Sequence, residues 1–343
     1  MFIVIFACFF IKAHISFPLI PKCFKTEQLI NQGKNIVILC LCIGENNAVG
    51  RSYDGDSVNI SDCFFTRMSQ YNSAGGVIFI SDTTKTSYIS NCMFNNCATS
   101  TDYGGAIFLT LSMSFMKMVC ANRCSSQFCH FAWVKATLSN EAVLLSMTEC
   151  SYTTNGDYSV CFSEGNPKVD FSNCSRNYAH VISGIYFYKP STSSSSVMCT
   201  FSNNVVSAFM CIDFYSCSGT MSYACVVNNN SPAYGIVYVS GSGTHIMEYC
   251  LFISNDNTLF HVDSGSSLTI KHSFIYHLNS IKSGIINTEN NNTNINHPTY
   301  IIPYFKSHYC HADNSLAVHI KQMTSALTFR SNIILLNLLN IFI

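Results

Sequence analysis

Charge is what this chain has least of. Only 10 % of its 343 residues are Asp, Glu, Lys or Arg, and the 18 basic and 18 acidic side chains cancel, where an ordinary globular domain is about a quarter charged. A chain with no net field has nothing to draw a polyanion toward it, which excludes nucleic acid as the expected partner. Disorder is excluded too, because disordered segments combine low hydrophobicity with high net charge, and 48 % of this chain is hydrophobic. Between Cys63 and Ser273 no sustained 3.6-residue period appears, so helices are not expected there. Nucleophile elbows of the G-x-S-x-G kind, Walker loops and H-E-x-x-H helices are all missing. What takes the place of charge is Asn, Ser and Thr, with 19 Cys, 26 Phe and 18 Tyr. That mixture suits strands joined by hydrogen-bonded turns.

Membrane-length apolar runs are also lacking. The run over residues 1–11 stops at Lys12 and is well short of the ~20 residues that cross a bilayer. A secretory signal over residues 1–16 is the expectation, although no Lys or Arg precedes the run and Ala13 and Ser16 form no A-x-A cleavage site. A buried first strand or a misplaced start is the alternative. Residues 332–343, NIILLNLLNIFI, would make a helix with a narrow polar stripe at Asn337 and Asn340. At about 18 Å it is too short to span. The first reading is a cap on the core; the second is weak membrane association as an interfacial helix or truncated anchor.

A repeat decides the architecture. Cys63, Cys92, Cys120, Cys150, Cys174, Cys199, Cys225 and Cys250 recur every 24 to 30 residues, with Cys40 before them and Ser273 after. Two positions beyond the cysteine stand Phe65, Phe94, Tyr152, Phe201, Val227, Phe252 or Ile275, the spacing that puts both side chains on one side of a strand. Five positions beyond stand Asn155, Asn204, Asn230 and Asn255, residues suited to a repeated corner. Gly75-Gly76 and Gly104-Gly105 open a second strand twelve residues after Cys63 and Cys92, with weaker versions at Gly184, Gly235 and Gly284. Leucine-rich repeats need an L-x-x-L-x-L pattern that is absent, and propeller blades need longer units. Identical residues at identical places in each unit require stacked coils, in which side chains form columns. The expectation is an all-β fold, a right-handed parallel β-helix of nine or ten coils. Residues 17–59 would supply an N-terminal cap and first coil, 60–295 the repeats, and 296–343 a C-terminal cap and apolar tail.

Gly-Gly-Ala-Ile at 104–107 and the Phe-x-x-Asn pairs Phe201/Asn204 and Phe252/Asn255 resemble the repeats of the polymorphic outer membrane proteins. The Cys-headed, Asn-rich form is most similar to the large sets of such proteins in trichomonad protists. The resemblance covers roughly residues 36–290, with two full Gly-Gly-hydrophobic copies. It implies a right-handed, pectin-lyase-like β-helix at the cell surface with an adhesive role. The chain departs from the family pattern in lacking a full C-terminal transmembrane helix.

Candidate sites follow from the columns. The eight head cysteines are expected as packed interior thiols, since free Cys is among the most buried residue types. Cys97 with Cys124, or Cys211 with Cys217, are better placed for a bridge, and removing Cys8 with a signal would leave an even 18 cysteines. Cys120, Cys124, Cys129 and His130 have the number of ligands for zinc, and His297, His308, Cys310 and His311 form a weaker set. Membership of Cys120 in the interior column argues against the first; alternation of side chains argues against the second. Asp82, Asp157, Asp170, Asp213, Asp256 and Asp263 fall at different offsets, with only Asp213 and Asp263 close to one column, two coils apart. No acid column for a lyase or hydrolase results. Sequons stand at Asn59, Asn173 and Asn291, and at Asn229 where Pro232 weakens it; these are the N-glycosylation candidates. The expectation is a non-enzymatic extracellular or cell-surface protein without cofactor or metal, presenting repeat faces to a protein or glycan. A β-helix polysaccharide lyase or glycoside hydrolase is the alternative.

Overall fold

A computed structural model of the chain describes residues 26–32, 35–43, 56–70, 74–100, 103–151, 156–276 and 284–291. The leader region, Asn155, Tyr152 and the apolar tail lie outside these residues. All described elements are strands, and among the described residues no helix is long and apolar enough to cross a membrane.

Strands arise where interior and exterior residues alternate. In Ser57–Thr66, Val58, Ile60, Cys63 and Phe65 are buried while their neighbours are half-buried or exposed. Each strand pairs in parallel with the equivalent strand one coil on, and the stack is read most simply along one interior column. Ile60, Ile89, Met116, Ala142, Val169, Ser196, Met221, Met247 and Ile270 are successive partners. These nine rungs make eight complete turns of a parallel β-solenoid, with one further parallel rung at each end, Ile38 and Thr288. A second interior column, Ile80, Leu109, Val134, Phe162, Phe187, Phe214, Val239 and Val262, closes the core from the opposite sheet.

Two single-residue bends shape each coil. The first holds Asp62, Asn91, Met118, Leu144, Phe171, Met198, Tyr223, Tyr249 and His272, all with φ between 47° and 59°. The second holds Arg67, Asn96, Arg123, Glu149, Arg176, Asn203, Asn228 and Ser254, with φ between 49° and 54°. Left-handed backbone costs a non-glycine residue about 1–2 kcal/mol. The bend persists because its N–H still finds the next coil: Arg67, Asn96 and Arg123 donate to the carbonyls of Asn95, Asn122 and Thr148 at 2.8–3.1 Å. Four residues separate the bends, and the last three of them form the strand, as in Asn173–Ser175 and Thr200–Ser202.

The paired glycines are required by stacking. A Cβ on Gly76 would lie 2.1 Å from the Gly105 carbonyl oxygen, and one on Gly105 would lie 2.2 Å from that of His130. Coils there approach main chain to main chain.

At the N-terminal edge the pattern changes. Thr26–Gln32 pairs antiparallel with Asn35–Ile43, which in turn joins Ser57–Thr66 in parallel. It is the one antiparallel strand pair among the described residues.

Candidate functional site

Register sorts the cysteines into four positions. The column at the first bend runs Cys63, Cys92, Val119, Leu145, Ser172, Cys199, Ala224, Cys250, Ser273, each directly preceding or belonging to a paired rung. Four of the eight expected cysteines therefore share it. Cys120 is one residue past Val119, paired with Met93 and Ser146 on the outer side, and is disulfide-bonded. Cys225 is one past Ala224 and packs outward with Val227, Leu251 and Phe274. Cys174 lies two past Ser172, between Met147 and Phe201 in the column of Phe65 and Phe94. Cys150 lies at the second bend. The cause is uneven coil length, since a slip of one residue turns a side chain to the other face. The expectation of one eight-membered interior column is corrected accordingly, although all eight sulfurs are buried.

The column thiols act as hydrogen-bond donors. Cys92 Sγ donates to the Ser90 carbonyl at 3.1 Å and Cys199 Sγ to that of Val169 at 3.1 Å. Ser172 and Ser273 make the equivalent bond to Asp170 and Lys271 at 2.9 and 2.8 Å. Burial pushes the Cys199 thiol up to about 11 and the Cys250 thiol up to about 12, the wrong direction for a nucleophile. Cys97, Cys124, Cys211 and Cys217 are free thiols, so neither suggested bridge forms.

The second bend carries a second ladder. Just past it stand Met68, Cys97, Cys124, Cys150, Asn177, Asn204, Asn229 and Asn255. Asn204 and Asn255 are where they were expected; Asn230 is one residue too far, and Asn177 and Asn229 were missed. Each Asn staples its coil to the preceding one. Its Oδ1 accepts the main-chain N–H of Cys150, Asn177, Asn204 or Asn229 at 3.0 Å. Its Nδ2 donates to the carbonyl of Met147, Cys174, Phe201 or Val226 at 2.8–3.3 Å. Cys97 and Cys124 imitate only the second bond, reaching Phe65 and Phe94 carbonyls at 3.6 Å. Desolvation holds the Cys97 and Cys150 thiols protonated.

The sequons differ in availability. Asn59 is half-buried on the outer side of its strand. Asn173 is buried, Asn229 belongs to the ladder, and Asn291 holds the Ser273 N–H and the Ile270 carbonyl at 2.8 Å each. Of the suggested zinc ligands, His130 is committed to Gly156 O at 3.1 Å and the Ser126 N–H at 3.3 Å, Cys124 to the ladder, and Cys129 to an outer cluster. Among the described residues no group of three or more His, Cys, Asp or Glu is placed to hold a metal ion. His297, His308, Cys310 and His311 lie outside them.

The arrangement with most chemical content is one sequence reading did not single out. On the outer side of the sheet opposite the bends, Phe79, Phe108, Trp133, Cys161, Tyr186, Asp213, Tyr238 and His261 are successive partners. Tyr188 and Tyr215 run beside them, ring on ring at 5.3 Å. The legible signal was an aromatic residue shortly after four of the five strand-opening glycine positions: Phe79, Phe108, Tyr186, Tyr238.

Asp213 interrupts the aromatic column. Ile212 and Phe214 point inward and are fully buried, so Asp213 points outward, yet it is only 5 % exposed. Its Oδ1 accepts from Ser240 Oγ at 3.3 Å, its one hydrogen bond among the described residues. Burial, with the nearby Asp263 carboxylate, holds its carboxyl well above the usual range; the Ser240 bond opposes this. Tyr238 Oη donates to Asp263 Oδ2 at 2.6 Å, and His261 Nε2 lies 3.6 Å from Asp263 Oδ1. His261 Nδ1 is buried without a hydrogen-bond partner. The topology thus joins Asp213 and Asp263 in one outer cluster through Tyr238 and Ser240, while Asp82, Asp157, Asp170 and Asp256 stand elsewhere on the solenoid.

No family model matches the chain, and no curated protein or solved structure matches it either.

Proposed function

We propose that this chain is a non-enzymatic, adhesin-like or structural protein of the extracellular space or cell surface, presenting its ladder faces to a protein or glycan partner. The observation that carries the reading is the outward aromatic column from Phe79 to His261 on a fixed parallel scaffold. Most of the column's rings are half-buried on the outer face and packed against one another rather than in the core, and apolar strips outside a core mark interaction surfaces. A stacked solenoid also offers broad, shallow contact areas rather than a deep pocket. The resemblance to polymorphic outer membrane proteins supports the same location and role. Neutral overall charge favours partners other than nucleic acid.

One observation favours the second reading, a glycan-cleaving enzyme. Asp213 is buried and Asp263 more open, with Ser240 hydrogen-bonded to the one and Tyr238 to the other, and paired carboxyls in unlike environments are the raw material of glycosidic acid–base chemistry. Labelling a tagged chain on intact cells tests the first reading: accessible tag is expected, and a tag reached only after permeabilisation overturns it. Incubating purified protein with polysaccharides tests the second: turnover abolished in Asp213→Asn would replace the first.

A further inference from the structure

The structure assigns a binding site for a neutral glycan to the outer cluster of Asp213, Tyr215, Tyr238, Ser240, His261 and Asp263. This rests on the surface-display reading above and names the ligand class for one of its faces.

One buried polar atom there lacks a partner, and one buried carboxyl makes a single hydrogen bond. The Asp213 carboxyl is 5 % exposed and uses one hydrogen bond, to Ser240. His261 Nδ1, one column position beyond Tyr238, is buried with none. Buried polar groups in folded proteins are nearly always satisfied, and those left over need a reason. Ring geometry supplies the apolar half. The stacked row of Tyr188 and Tyr215 ends at Ser240, which pairs with Tyr215 where a third ring would stand. Tyr238 is set edge-on to His261, centroids 5.0 Å apart at 77°. The cluster therefore mixes ring surfaces of two orientations with a carboxyl, a carboxylate, an imidazole and a phenol.

Charge selects the occupant. The Asp263 carboxylate, with no Lys or Arg among the six residues, repels phosphate, sulfate and uronate groups. Lys189 sits 5.2 and 5.8 Å over the Tyr188 and Tyr215 rings, at the margin of the cluster. A buried Asp213 carboxyl, which desolvation biases toward its proton-donating form, and an accepting Asp263 suit a ligand whose groups both donate and accept, which is the property of a hydroxyl. Hydroxyls on a ring that also offers C–H faces to aromatic planes describe a neutral sugar. The ladder runs through several coils, so a chain of sugars rather than a single one fits it.

The test uses the purified full chain with cellohexaose, mannohexaose and chitohexaose as neutral probes and polygalacturonate as the anionic comparator, read by calorimetry and saturation-transfer NMR. At least one neutral hexasaccharide is expected to bind. Asp213→Asn and Tyr238→Phe, which keep shape and remove hydrogen-bonding capacity, should each weaken it about tenfold. Tyr88→Ser, on another face, should leave affinity unchanged, and His261→Gln provides a third probe if either of the first two melts early. Absence of binding to all three hexasaccharides, preference for polygalacturonate, or affinities indifferent to Asp213→Asn and Tyr238→Phe would overturn the site. Surface labelling with no hexasaccharide binding leaves the display reading standing and removes this site. Hexasaccharide binding lost in Asp213→Asn keeps the site even if labelling finds the protein inside cells.

Discussion

Leu144 sits at φ 59°, a conformation that leucine avoids and asparagine tolerates. Its place is set by the bend that every coil repeats, so relieving the residue should not move the chain. Leu144→Asn is expected to stabilise the fold by about 0.5–1 kcal/mol, net of a half-buried side chain, seen as a raised melting temperature. Asp213 stores a different kind of cost. Its carboxyl is held well above the ordinary value of 3.8, so the unfolded chain releases a proton that the folded chain keeps. The stability contributed there is complete below about pH 4 and declines as pH rises toward the folded value, by about 1.4 kcal/mol per pH unit within that window. Asp213→Asn removes the decline. Its melting temperature should exceed that of the native chain by a margin that grows from pH 4 to pH 7; a constant margin would contradict it. His130 and His245 act with the opposite sign. Burial lowers both from 6.5 to about 4, so their contribution is complete above pH 6.5 and is lost as pH falls toward 4. Comparing variant with native chain at each pH cancels that common loss and isolates the aspartate.

At the scale of the element, the second-bend ladder is half sulfur and half amide, and the two halves should differ in strength. Asn204→Ala strips the Asn177 N–H and the Cys174 carbonyl of side-chain partners at once, an expected loss of about 2–4 kcal/mol. Cys150→Asn extends the amide run by one coil and should gain about 1 kcal/mol. Hydrogen exchange at the Asn177 amide reads the first directly, since its protection should fall in Asn204→Ala. This ladder also shows what was legible and what was not. Asn204 and Asn255 lie five residues after Cys199 and Cys250, which are true column members, and both were placed correctly. Asn230 was reached by counting five from Cys225, itself one residue out of register, and the error passed through unchanged. The neighbouring Asn229 is the ladder residue. Cysteine is a weak marker of register because several columns of this core accept a small buried sulfur, whereas asparagine with both amide groups engaged fits only one.

Across the whole molecule, the period and the Gly-Gly openings reveal stacked parallel coils because each is a backbone requirement. The aromatic column was less visible, since Phe, Trp and Tyr alternate with Cys161 and Asp213 and share only their position. Asp213 and Asp263 looked merely adjacent in offset; that Tyr238 and Ser240 connect them depends on side-chain reach, which spacing does not encode. The antiparallel strand at the N-terminal edge has a consequence for assembly. A parallel stack is open-ended, and a second chain of the same period would dock on its last rung as readily as the next coil does. Thr26–Gln32 runs the wrong way for that, so a copy arriving at this end meets a strand of reversed polarity and cannot continue the columns. Deleting residues 26–32 uncovers Asn35–Ile43, whose other edge already pairs in parallel. The shortened chain is expected to polymerise into thioflavin-positive fibres from purified, folded protein under conditions where the full chain remains unpolymerised. Thr26–Gln32 is then a terminator, and the reversed direction of one strand limits the size of the particle.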